Sequence, residues 1–189
     1  MSNLSQDCIS KYAVFNQNKN KLESVIADDT IIPFFSHISG DFKCLSQFYP
    51  VSFIIDGIKY NCAEQWIMAS KARLFPGNDN ILNEIMTSTK PLNIKTFGRM
   101  VANFDDAVWS EKRFDIVVAG NYAKFSQNED LKKILLDTGN ALLAEASPLD
   151  KIWGIGLSIN NPDIATPSLW NGINLLGKAL MEVRTKLHE

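Results

Sequence analysis

Histidine is nearly missing from this chain. Of 189 residues only His37 and His188 are histidines, and His188 is next to the last. No histidine-rich metal site or zinc finger is therefore expected, and a Ser-His-Asp triad would have to be built on His37. The three cysteines (Cys8, Cys44, Cys62) are odd in number and not closely paired, which fits reduced thiols in a cytoplasm better than a disulfide framework. Neither sign of charge dominates: 19 basic against 21 acidic residues give a net charge of -2, so there is no general pull toward nucleic acid, although a local basic cleft remains compatible with it. No apolar run approaches a membrane span, and the N-terminus lacks the charged-then-apolar pattern of a secretory signal. No internal repeat or low-complexity tract is present. What the chain does have is 46% hydrophobic content, enough for one well-buried core in a single domain. With histidine so scarce, carboxylates are the available acid–base groups.

The pattern along the chain predicts a mainly α-helical domain with a small β element near its start. Residues 1–29 are polar and read as a loose extension with one helical stretch around Lys11 to Ile26, leaving residues 30–189 as the domain. Ile31-Ile32-Pro33-Phe34-Phe35 reads as a short strand whose proline calls for an edge position. Two β-rich runs flank Asp56-Gly57, the strongest short-range hairpin signal. Helices follow: from Asn61 to about Leu74, Asp79 to Ser88, Pro91 to Met100, Asp105 or Asp106 to Lys124, and Glu129 to Asp137. Leu142-Leu143-Ala144 is a strand candidate, and Gly154 to Trp170 is expected to be a long loop near a site. Leu175, Leu176, Ala179, Leu180, Val183 and Leu187 form the stripe of a C-terminal helix.

Two acids stand out because each lies beside a tryptophan: Glu64 in Asn61-Cys62-Ala63-Glu64-Gln65-Trp66, and Asp150 in Pro148-Leu149-Asp150-Lys151-Ile152-Trp153-Gly154. Two carboxylates framed by aromatic rings suit a site that protonates a leaving group and stabilises a cationic sugar. The same letters read as helix caps. Asn61-x-x-Glu64 has capping-box spacing, and so has Ser147-x-x-Asp150, with Pro148 at the favoured first helical position. On the letters alone the capping reading is the stronger for each acid, yet a cap also holds a group rigidly, so the two readings coexist. Trp109, on an amphipathic helix, reads as core ahead of a stacking surface, and Trp66 reads as core. Lys71, Arg99, Arg73 and Arg184 suit a phosphate, although any single one is more often a solvated charge. Glu145 reads as a surface or network acid, and Cys62 as a small buried residue rather than a nucleophile. The glycines after Trp153 let backbone approach a ligand closely.

The ordered segments say more than any one motif. Phe34-Phe35-Ser36, Cys44-Leu45-Ser46-Gln47-Phe48-Tyr49-Pro50, Ile55-Asp56-Gly57-Ile58-Lys59-Tyr60, Ala63-Glu64-Gln65-Trp66 and Ser70-Lys71-Ala72 come first. Gly98-Arg99, Trp109, Lys124-Phe125-Ser126-Gln127-Asn128 and Leu135-Leu136-Asp137-Thr138 follow, then Pro148 to Gly156 and Asn174 to Arg184. Taken together they resemble the YbiA-like family, also called NADAR for its association with NAD and ADP-ribose metabolism, over about Ile31 to Leu187. The resemblance implies a single-domain helical fold of the YbiA type and an N-glycosidase activity on early phosphorylated intermediates of riboflavin synthesis, or, as in some relatives, removal of ADP-ribose from modified guanine in nucleic acid. It places the catalytic acid-tryptophan-acid set on Glu64, Trp109 and Asp150, and the phosphate-facing basic positions on Lys71 and Arg99. Gln47, Phe48, Trp153 and Gly154 are expected at the substrate. Two departures from the family pattern lie near that pocket: Gln47 stands where the family's Leu-Ser-Asn-Phe has Asn, and Gln65 where a histidine often follows the glutamate.

The expected chemistry is metal-free and cofactor-free hydrolysis of a ribosyl N-glycosidic bond. Glu64 is assigned to acid–base work and Asp150 to water activation or charge stabilisation, in an order that is reversible, with Trp109 walling the sugar or base. Lys71 and Arg99 hold the phosphate. The expected partner is a small phosphorylated ribosyl or ADP-ribosyl substrate. ADP-ribosylated nucleic acid is a rival, since a flipped base needs little contact area. A non-catalytic ADP-ribose or NAD binding module is a third reading, and the intact Glu64, Trp109 and Asp150 argue against it.

Overall fold

In a computed structural model, which describes residues 30–188, the Asp56-Gly57 signal forms the turn it predicts. Strands β2 (Phe53–Ile55) and β3 (Ile58–Tyr60) pair antiparallel with Ile55 opposite Ile58, and Asp56 and Gly57 both take positive φ (52° and 76°), as a two-residue hairpin loop with this twist requires. The polar extension expected over residues 1–29 lies outside the described residues. From residue 30 onward the chain is mainly helical, with six α-helices and four short strands among the described residues. It forms two compact units: an inserted unit, Ser36–Glu129, and a terminal unit whose described parts are residues 30–35 and 130–188.

The inserted unit is built around helix α1 (Ala63–Leu74), which packs against α2 (Asp79–Thr87), α3 (Pro91–Arg99) and α4 (Asp106–Ser126). With neighbours on several sides, α1 buries Ala63, Glu64, Gln65, Ile67, Ala69 and Ala72 rather than a single apolar stripe. The outer helices keep their expected boundaries for local reasons. Phe75-Pro76-Gly77 stops α1, Pro91 occupies the first turn of α3, and the Asp105 carboxylate caps α4 by accepting from the Ala107 and Val108 N–H groups at 2.8 and 3.2 Å.

In the terminal unit, β1 (Ile31–Phe34) pairs in parallel with β4 (Leu142–Glu145), Ile31 opposite Leu142. Both strands of a two-stranded sheet are edges, so Pro33 is tolerated where the sequence required an edge. Helix α5 (Glu129–Leu136) leads toward β4, and the C-terminal helix α6 (Leu175–His188) packs on β4 with Leu176, Ala179, Leu180 and Val183 buried. A Cβ at position 177 would overlap the Leu143 carbonyl, so Gly177 is what lets α6 approach the strand. Ile31, Ala144, Ala146, Ile155, Leu157 and Ile164 make one apolar cluster of this unit. The segment after Gly154 is the expected long loop, interrupted by two short 3-10 turns at Pro162–Ala165 and Pro167–Leu169.

Candidate active site

Glu64 lies in the first turn of α1, and the Asn61 N–H that a capping box would give it goes to Gln65. The helix begins at Ala63, with Cys62 in the N-cap position, one residue later than the capping-box reading required. The back-bond to the Asn61 N–H comes from Gln65, whose Oε1 accepts it at 2.8 Å, while Gln65 Nε2 donates to the Ile85 carbonyl at 3.0 Å. The Asn61 side chain turns away and donates to the Ser88 carbonyl at 2.9 Å. Shifting the helix start by one residue hands the capping task to Gln65, the position where the family often carries histidine. The Glu64 side chain is buried at 6% exposure, and its backbone N–H donates to the Gln47 carbonyl at 3.0 Å. An acid at a helix N-terminus lies in the favourable field of the first-turn N–H groups.

The strip that meets Glu64 is gripped by α4. Gln47 and the fully buried Asn121 exchange reciprocal amide bonds at 3.1 and 2.9 Å, and Asn121 Nδ2 also donates to the Val117 carbonyl at 2.8 Å. One turn on, the fully buried Lys124 donates from Nζ to the Ser46 carbonyl at 2.9 Å. Burial pulls the Lys124 ammonium down to about 8, against the Cys44 and Cys62 thiols, which favour its charge. Gln127 accepts from the Ile54 N–H and donates to the Ile54 carbonyl, both at 2.8 Å, and Asn128 donates to the Ser52 carbonyl at 3.2 Å. Burial pushes the Cys62 thiol up to about 11, which is the behaviour of a small buried residue and not of a nucleophile.

Lys71, Trp109 and Arg99 gather in the same unit. Lys71 Nζ donates to the Gly98 carbonyl at 2.9 Å, capping the C-terminal end of α3, and stands 4.2 Å from the Phe104 ring centre and 6.0 Å from that of Trp109. Its pKa is lowered first by burial and then by the Arg99 guanidinium, with the Asp106 carboxylate opposing. Two neighbouring cations, with Lys71 beside two rings, make a place where an anionic group relieves repulsion. Trp109 is buried at 8% exposure, as the core reading expected. Trp66 is half-buried, and its indole N–H is taken by the Ile116 carbonyl at 2.7 Å. Phe48 is half-buried, edge-on to His37 with ring centres 5.7 Å apart, and Lys95 lies 5.7 Å from its centre.

Asp150, Trp153 and Gly154 belong to the terminal unit, where no helix begins at Pro148. Asp150 Oδ1 instead accepts from the Ile152 and Trp153 N–H groups at 3.0 and 2.8 Å, holding a turn by itself. The reason is competition for backbone donors. The carbonyls of Lys151, Ile152, Trp153 and Gly154 accept from the N–H groups of Ile173, Leu175, Leu176 and Asn174 at 2.9–3.1 Å, so this turn is clasped against the start of α6 instead of winding into its own helix. Gly154 fits because a Cβ there would lie 2.8 Å from the Asp150 carbonyl oxygen and 2.9 Å from that of Glu145. Buried Asn174, at φ 54°, donates to the Leu143 carbonyl at 2.8 Å and accepts from the Glu145 N–H at 3.1 Å. Among the other cations weighed for phosphate, Arg184 is committed to the fold: it is 8% exposed and donates to Thr138 Oγ1 and the Ala141 carbonyl at 2.7 and 3.0 Å. Arg73 donates to the Tyr60 hydroxyl at 2.9 Å.

The sequence reading missed Asn121, Lys124, Phe104 and the capping role of Gln65. Asn121 and Lys124 are spaced by one helical turn, and polar residues among buried neighbours on a helix were the available signal. Among the described residues no group of three or more His, Cys, Asp or Glu side chains is arranged to hold a metal ion, and no helix is long and apolar enough to cross a membrane.

With the geometry in place, residues 33–188 match the NADAR domain model, and the chain belongs to that family. It is 48% identical to N-glycosidase R617 of Acanthamoeba polyphaga mimivirus over 144 residues, covering 74% of this chain and 84% of that protein. The NMR structure of YbiA from E. coli superposes with a TM-score of 0.70 at 28% identity, covering 86% of this chain and 88% of the other. The riboflavin biosynthesis protein PYRR of Zea mays is 30% identical over 126 residues, which span 62% of this chain and 18% of the maize protein. The fold is thus the YbiA-like one. By family and relatives the chain is an enzyme of the N-glycosidase class, a hydrolase acting on N-glycosyl bonds.

Proposed function

We propose that the bond hydrolysed joins ribose to the nitrogen of a phosphorylated, ribosylated base, with early aminouracil ribosylamine phosphates of the riboflavin pathway as the substrate class, residues 30–189 acting as one domain in a cytoplasmic setting. The observation that carries this reading is the cluster of Lys71, Arg99, Phe104 and Trp109 in the same unit as the helix-borne Glu64. Cations beside aromatic walls suit a ligand that is at once phosphorylated and flat, and the name of the maize relative agrees with it.

In the mechanism, Glu64 donates a proton to the departing nitrogen. The C1′–N bond breaks as positive charge spreads over the ribose ring oxygen and C1′, and the Asp150 carboxylate stabilises that charge and orients the attacking water. Water adds at C1′, its proton passes to a carboxylate, and ribose 5-phosphate and the free amine leave. Lys71 and Arg99 hold the phosphate, so binding far from the reacting carbon positions it. Trp109 walls the sugar or base. The test is a mass-spectrometric panel of ribosylated aminouracil phosphates and ADP-ribosyl-guanine DNA, run on the protein and on its Glu64→Gln and Asp150→Asn variants. Release of ribose 5-phosphate from the first class, lost in both variants, is expected. Free ADP-ribose from the DNA alone would reassign the substrate, and full turnover by both folded variants would overturn the carboxylate mechanism.

A further inference from the structure

The end of α4 and the two residues after it carry polar side chains whose common target is the chain between Ser46 and Ile54. Asn121 and Lys124 lie one turn apart on α4 and Asn128 just past its end, and their bonds go to Gln47, Ser46 and Ser52. Burying an amide and an ammonium completely is costly unless each is bonded, so neither is explained by filling space. What both anchors hold is the peptide that meets the first turn of α1, because the Gln47 carbonyl is the acceptor of the Glu64 N–H at 3.0 Å.

We propose that Asn121 is a positioning residue for Glu64, acting through Gln47. The paired amides fix the Gln47 side chain, that side chain fixes the orientation of its own carbonyl, and the carbonyl fixes the turn that carries the acid. Gln47 is thereby turned toward the helix: its Oε1 and Nε2 face Asn121, and Nε2 also reaches the Leu45 carbonyl at 3.3 Å, so its amide is engaged in holding the strip rather than in contacting substrate. Lys124 supplies a second anchor at the adjacent carbonyl. Loss of the Asn121–Gln47 pair therefore loosens the strip without releasing it, and a loosened acid–base group loses rate before the fold loses stability.

This inference rests on the role proposed for Glu64, and the experiment separates the two. Turnover of the substrate identified by the panel is measured for Asn121→Ala, for Gln47→Met, and for the exchange Gln47→Asn with Asn121→Gln, which keeps both amides and moves one methylene across the pair. Thermal unfolding is followed in parallel, and Glu64→Gln is measured alongside. Each single variant is expected to lower kcat fivefold or more with KM within threefold of the parent, and the exchange is expected to return kcat to within threefold. If Asn121→Ala does not fold, the half-buried Gln47→Met decides. A smaller loss of kcat, a rise in KM alone, or a loss that the exchange fails to recover overturns the positioning role. If Glu64→Gln is inactive while the pair is dispensable, only this inference falls; if Glu64→Gln retains full turnover, the proposed mechanism falls with it.

Discussion

The two units hold their acids still by opposite means. In the inserted unit Glu64 is carried by a helix, and the strip it contacts is fastened by side chains reaching from α4 and the two residues after it: Asn121, Lys124, Gln127 and Asn128. In the terminal unit Asp150 is carried by a turn, and that turn is fastened by its own carboxylate, by backbone carbonyls and by close approach at Gly154 and Gly172, where a Cβ has no room. At the acids themselves, the first arrangement is therefore vulnerable to deleting side-chain atoms and the second to adding them. A helix gives a rigid frame, so positioning there becomes a matter of polar reach. A loop has no frame of its own, so it is held by exclusion and by its own peptide groups.

That contrast is sharpest at the acids. Glu64→Gln is expected to lower kcat by about 100- to 10,000-fold, the span for removing an acid–base group. Asp150→Asn is expected to do so with little loss of stability, because an asparagine Oδ1 still accepts from the Ile152 and Trp153 N–H groups; single-turnover rates and melting curves check both. Gly177→Ala adds one carbon and should destabilise by about 3 kcal/mol through overlap with the Leu143 carbonyl, lowering Tm by about 6–12 °C. An unchanged melting curve would remove close approach as the device of the terminal unit.

Lys124 gives the inserted unit a pH signature. Its ammonium loses its proton near pH 8 in the fold against an ordinary value of 10.5, so above pH 8 the unfolded chain binds more protons and stability rises with pH. Cys62 opposes this from about pH 9 upward, since its thiol keeps its proton to about 11 in the fold. Chemical denaturation between pH 7.5 and 9 should show a rise of about 1 kcal/mol, absent in Lys124→Met. The smallest expected effect is at the exposed cap of α4, where Asp105→Ala should cost about 0.5–1 kcal/mol in the same assay, with turnover unchanged.

The same contrast explains what was legible in the sequence. Helix boundaries, the Asp56-Gly57 hairpin, the edge strand with Pro33 and the C-terminal stripe could be read because each depends on near neighbours: a cap, a turn residue, a period. Both caps assigned to the acids were misplaced because capping is a competition that spacing alone does not decide. Gln65 won over Glu64 by being one residue further into a helix that starts at Ala63, and the Pro148 turn never became a helix because its carbonyls accept from the start of α6. Asn121 and Lys124 escaped notice because their partners, Gln47 and Ser46, are 74 and 78 residues away. Lys71 and Trp109 came from a family likeness, and geometry then supplied Phe104 beside them.

The bond pair at Gln127 has a bearing on how the protein survives at high concentration. In a two-residue hairpin, the middle residue of each three-residue strand directs its N–H and C=O outward, and Ile54 is that residue in β2. Ile54 is also exposed, at 53%, so this margin combines outward peptide groups with an apolar side chain, the recipe for edge-to-edge aggregation. The Gln127 amide occupies both Ile54 groups as a short strand would. A foreign strand must first evict it, so one side chain serves as a guard rail along the margin of the hairpin.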